Sequence, residues 1–107
     1  MSARRIRELN DQFRRTYQGG KMMMTSGIDA LPVSVKSHIL EKVRTFDAFS
    51  NENDPHGEHD FGSFEVEGRK IFWKIDYYDA AMEFGSEDPA DPSKTTRVLT
   101  IMLASEY

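Results

Sequence analysis

The sequence predicts an α+β domain in which two amphipathic helices cover one face of a four-stranded, mainly antiparallel sheet, in the order α-β-α-β-β-β. Three observations carry this. Apolar residues recur at helical spacing over residues 3–18 and again after Pro32. Apolar and polar residues alternate on either side of Glu67-Gly68. A run that is apolar on both faces, Thr96 to Ala104, follows a loop broken by Gly85, Pro89 and Pro92.

The first helix spans residues 3–18, with Ile6, Leu9, Phe13 and Tyr17 on one face. Ser2 is its N-cap, and Gly19-Gly20 stops it. Lys21 to Thr25 contains Met22, Met23 and Met24 and reads as a buried strand that ends in a turn at Ser26-Gly27. Pro32 opens the second helix, which runs to about Phe46, because the first turn needs no N–H donor there. Val35, Ile39, Val43 and Phe46 form its buried stripe with Leu40 beside it, and His38 sits at the stripe's edge. Residues 47–60 form a polar loop.

A hairpin follows. A two-residue turn at Glu67-Gly68 pairs Val66 with Arg69, Glu65 with Lys70 and Phe64 with Ile71. The opposite charges of Glu65 and Lys70 support that register. Continuing the ladder sets Trp73 against Gly62, which leaves room for the indole. Residues 80–95 form a second loop, and Thr96 to Ala104 is a strand for the middle of the sheet.

At 107 residues the chain is one domain with a modest core. With no cysteine, disulfides, thiolate metal sites and cysteine nucleophiles are excluded, and the expected compartment is the cytoplasm. Residues 1–20 lack the apolar segment of a signal peptide. No apolar run approaches the roughly 18–20 residues that span a bilayer, so no membrane partner is expected. The net charge of −4 conceals an asymmetry, because residues 1–21 carry six basic side chains against two acidic ones. Arg4, Arg5, Arg7, Arg14 and Arg15 form a basic arm that could meet nucleic acid. Their alternation with core-type residues favours instead a helix docked on its own acidic body.

Several segments together resemble a known family. They are Thr25-Ser26-Gly27-Ile28 with Leu31-Pro32; the run from Asn53 to Gly62; Phe72 to Asp79; Gly85 to Pro92; and Arg97 to Ala104 with Glu106-Tyr107. The resemblance is to short bacterial proteins of unknown function, mostly alphaproteobacterial and often encoded on plasmids and other mobile elements. It covers nearly the whole chain and brings no established activity. The genetic setting it implies is that of an accessory protein, such as an inhibitor of host defence or a regulator of the element.

Three constellations carry candidate chemistry. In the run Asp54 to Asp60, His56 and His59 lie three apart among Asp54, Glu58 and Asp60. Two imidazoles and a carboxylate, His56, His59 and Asp60, could hold zinc or manganese at about 2.0–2.2 Å and leave a position for water. Asp54 or Glu58 would serve as a further ligand or base. Pro55 and Gly57 forbid a regular helix here, and turn chemistry explains the same residues. The second constellation is Glu87, Asp88 and Asp91, a candidate contact for a basic partner that is equally readable as Asx turns. The third is the hairpin's other face, Phe72, Lys74, Asp76 and Tyr78, with Phe61 opposite. Aromatics among charges there suit a protein contact, and a homodimer could hide the same face. The acidic balance of this half of the chain disfavours nucleic acid.

No nucleophile elbow and no phosphate-binding loop of the G-x-x-x-x-G-K-[ST] type is present. The sequence thus reads as a non-enzymatic module that binds a macromolecular, most simply protein, partner through Asp54, Glu58, Glu87, Asp88, Asp91, Phe72, Lys74 and Tyr78. Its rival is a metal-binding protein or metal-dependent hydrolase built on the Asp54–Asp60 loop.

Overall fold

A computed structural model describes residues 2–107. Helix α1 (Ala3–Thr16) is capped by Ser2, whose hydroxyl accepts from the Arg5 amide at 3.2 Å, and closes on Tyr17 in a left-handed conformation. Strand β1 (Gly20–Met24) leads into a one-turn helix α2 (Ser26–Asp29). Helix α3 (Val33–Arg44) follows, with Pro32 at its N-cap. Strands β2 (Phe61–Val66), β3 (Arg69–Tyr78) and β4 (Thr96–Leu103) complete the sheet, and a 3-10 turn (Ala104–Glu106) ends it. The fold is α+β with three helices and a four-stranded mixed sheet.

The sheet order is β1-β4-β3-β2, with one parallel pair, β1 with β4. The hairpin has the register expected from the turn: Glu65 opposes Lys70, and Gly62 opposes Trp73. That last pairing is tight, since a Cβ on Gly62 would lie 2.4 Å from the indole nitrogen. Strand β4 lies inside the sheet, between β1 and β3, as its two apolar faces require.

Side chains alternate across each strand, so register fixes which residues share a face. Ile71, Trp73 and Ile75 of β3 stand opposite Leu103, Ile101 and Leu99 of β4, and this face meets the helices. Phe13 of α1, Ile28 of α2, and Val35, Ile39 and Val43 of α3 close the core over it.

Two expectations are corrected. Residues 26–29 form a helical turn rather than a simple bend, with Ile28 driven fully into the core. Strand β1 is an edge strand, not a buried one: Met22 and Met23 are 38% and 56% exposed. Three apolar residues in a row cannot separate a central strand from an edge whose outer side is open. Among the described residues no helix is long and apolar enough to cross a membrane.

Candidate functional site

The first loop meets α1 through the His59 ring and the carbonyls of Gly57 and Glu58. The helix presents Ile6, Asn10, Phe13 and Arg14 inward, so two polar side chains share a buried stripe with two apolar ones. Burial obliges each of these polar groups to find partners. Arg14, 2% exposed, donates from Nη1 to the carbonyls of Val43 and Phe46 at 2.9 and 2.6 Å, and from Nη2 to Asp11 Oδ1 at 3.0 Å. Its guanidinium lies over the rings of Phe49 and Trp73. Arg14 thereby ties α1 to the end of α3, and its guanidinium is buried rather than displayed with Arg4, Arg5 and Arg15. Arg7 donates to the Gly57 carbonyl at 3.1 Å, and Arg4 and Arg5 pair with Glu8 on the surface.

The loop before β2 is organised by Asp54, which is buried. Its Oδ1 accepts from the amides of Glu58 and His59 at 3.1 and 3.2 Å. This turn places His59 in a left-handed backbone conformation, φ 55°, with its ring stacked on Phe49 at 3.7 Å. Nδ1 of His59 meets Asp11 Oδ1 at 2.9 Å, so that nitrogen carries the hydrogen. Nε2 faces Asp54 Oδ2 at 3.6 Å. The imidazole is bracketed by two carboxylates, one from the helix and one from its own loop.

His56 is exposed, and Asp60, just before β2, is half-buried. Burial, followed by the neighbouring charge of Glu58, pushes the Asp60 carboxyl above its usual range. Among the described residues no three His, Asp or Glu side chains are grouped to hold a metal ion. The set His56, His59 and Asp60 is therefore not brought together in this arrangement.

A second polar chain runs beside the first. Tyr77 on β3 donates its hydroxyl hydrogen to Glu58 Oε1 at 3.0 Å and accepts from Asn10 Nδ2 at 2.8 Å. Burial raises the phenol's pKa far above its usual value, so it remains a donor. Asn10 Nδ2 also reaches the Glu58 carbonyl at 3.0 Å, and Asn10 Oδ1 accepts from Arg97 Nε at 2.7 Å. Arg97 in turn donates from Nη2 to the Pro89 carbonyl. Asn10 and Arg97 thus join the two acidic loops through the middle of the molecule.

In the second loop, Asp88 Oδ1 accepts from the Ala90 amide, and Asp91 Oδ1 accepts from the amide and hydroxyl of Ser93. The Ser93 hydroxyl holds the Asp91 carboxyl below its usual range. Both are Asx-type turn residues, whereas Glu87 beside them is exposed. The third constellation lies on the side of the sheet away from the helices. Phe61, Phe72 and Tyr107 meet edge to face or tilted at centroid distances of 5.3–6.2 Å. Lys74 pairs with Asp76 at 3.0 Å on the same face, with Tyr78 further along β3.

Sequence reasoning missed the buried polar roles of Asn10, Asp11, Arg14, Tyr77 and Arg97. A signal was available for two of them, because Asn10 and Arg14 continue the helical stripe of Ile6 and Phe13.

These features define a small α+β domain whose buried ionisable groups fasten a helix and two loops to a sheet. The chain belongs to the family described as Protein of unknown function (DUF3768), whose model matches residues 24–106. Helix α1 lies outside the matched segment yet supplies Asn10, Asp11 and Arg14 to its polar core. Comparison with curated proteins and with solved structures gives no match.

Proposed function

We propose that this protein is a non-enzymatic binding module that engages a protein partner through the helix-free face of its sheet. The observation that supports this reading is the Phe61, Phe72 and Tyr107 cluster, set beside the Lys74–Asp76 pair on a face that no helix covers. Aromatic side chains with a polar surround are the composition of protein interfaces. Lys74 is paired with Asp76, and Lys70 lies over the Phe72 ring, so charge and aromatic surface alternate across the face. Exposed Phe84 and Glu87, in the loop bridged to Tyr78 through Gly85, extend the surface.

The test is a photo-crosslinking amino acid placed at Phe72 and, as control, at exposed Arg15 of α1, in cells of the source organism. A discrete adduct from position 72 and none from position 15 is expected. Binding of the purified adduct partner should then be lost in Phe72→Ala with Tyr107→Ala at unchanged melting temperature. An adduct of twice the chain's own mass would replace the reading with a homodimer. The same adducts from both positions, or none from position 72, would overturn it.

A further inference from the structure

Arg97 is 3% exposed and has no carboxylate partner: no ion pair among the described residues includes it. Arg14 is equally buried but has Asp11 at 3.0 Å. A guanidinium stays protonated in proteins, so Arg97 is a buried cation held only by neutral groups, Asn10 Oδ1, the Pro89 carbonyl and the face of Tyr77. Such a charge is costly without a counter-anion. Burial lowers its pKa and the charge of Arg5 acts in the same direction, while Tyr77 and the more distant Glu58 carboxylate, which does not touch it, act in the opposite one.

One part of this guanidinium is open. Nε and Nη2 have acceptors, and Nη1 has none. The fully enclosed side-chain nitrogens without a partner are Arg14 Nε and Trp73 Nε1, so Nη1 of Arg97 still reaches solvent. Arg97 also forms part of the wall of a cleft of about 300 Å³ between α1 and the loop before β4. Leu9, Phe13 and Pro92 give that cleft apolar walls, and Gln12 and Thr95 stand among them.

We propose that this cleft binds a small organic monocarboxylate, its head group on Nη1 of Arg97 and its apolar body against Leu9, Phe13 and Pro92. A single free nitrogen on a single cation matches one negative charge and a monodentate contact. A phosphate dianion would ask for further donors and cations. The volume is at the lower limit of small-molecule sites and suits an acid of a few carbons with an apolar tail. This site is separate from the helix-free face and does not depend on its role.

The test is a titration of the full, isotopically labelled chain with butyrate, followed by nuclear magnetic resonance. Butyramide and inorganic phosphate at matched ionic strength are the comparison probes. Butyrate should give saturable shifts at millimolar concentration in the Arg97 Nε–H signal and in the amides of Gln18, Gly19 and Thr95. Butyramide and phosphate should not. Gln12→Trp fills the mouth of the cleft from an exposed position whose side chain makes no hydrogen bond, and should weaken butyrate roughly tenfold or more. Arg97→Gln should abolish the response. If that variant fails to fold, Gln12→Trp decides alone. Absence of saturation, equal shifts with butyramide, tighter binding of phosphate, or a response unchanged in Gln12→Trp would each overturn the proposal.

Discussion

Replacing Gly62 by alanine tests the packing of the core at its most constrained point. A Cβ there would stand 2.4, 2.7 and 2.8 Å from Nε1, Cε2 and Cζ2 of Trp73. Ordinary heavy-atom contact is about 3.5–4.0 Å, so the two must separate by roughly 1 Å. The indole has nowhere to go. It is fully buried, with Phe46 and Phe49 at its edges and the Arg14 guanidinium over its ring. Relief must come from β2, the edge strand, moving away from β3 and weakening the ladder that pairs them. Overpacking of this kind costs about 1–3 kcal/mol. The smaller backbone entropy of alanine returns roughly 0.5–1 kcal/mol. A net loss near 1–2 kcal/mol lowers the melting temperature of a domain this size by roughly 10 °C. Trp73 is the single tryptophan, so urea denaturation followed by its fluorescence reports on the perturbed contact itself. Gly68→Ala is the control: it meets no atom within 4 Å and is strained only by its φ of 76°. It should cost about 1 kcal/mol and leave native emission unchanged. Wild-type stability and emission in Gly62→Ala would refute the reasoning.

Two further outcomes are expected. Arg14→Ala should cost about 3–5 kcal/mol in chemical denaturation, because it takes the donor from the Phe46 carbonyl, one of the donors from the Val43 carbonyl, and the cation from Asp11, and Arg14→Lys should not restore the loss since one ammonium cannot span three acceptors. A cost under about 1 kcal/mol would show that these bonds are dispensable. Asp60 binds its proton more tightly folded than unfolded, so its contribution favours the folded state at low pH and is lost as pH rises from the ordinary carboxylate value through the raised one. Asp60→Asn should therefore raise the melting temperature near neutrality and flatten the fall of stability across that window, and melts at stepped pH showing an unchanged slope would count against the assignment.

The legible part of the fold was the part set by local rules. Glu67-Gly68 and the Glu65–Lys70 charge pair determine the hairpin register, and register alone places Trp73 over Gly62. The open edge of β1 was not legible, because strand neighbours depend on chain segments far away in sequence. The site was harder still. Periodicity weighs apolar residues, so Asn10 and Arg14 disappeared among the polar positions of α1, although they lie on its inner stripe. His59 reads as a metal ligand from its neighbours in sequence. Its real partner on Nδ1, Asp11, is 48 residues away.

The parallel pairing of β1 with β4 also dictates an order of events during synthesis. Gly20–Met24 leaves the ribosome well before Thr96–Leu103, the strand it must pair with. Until β4 exists, β1 has no partner on either side, and β3 lacks one of its two. Contacts of such long sequence separation form late and slowly. The nascent chain therefore carries a bare methionine strand from the emergence of Met24 until that of Thr96, and this interval is when it is most vulnerable to aggregation or in need of a chaperone.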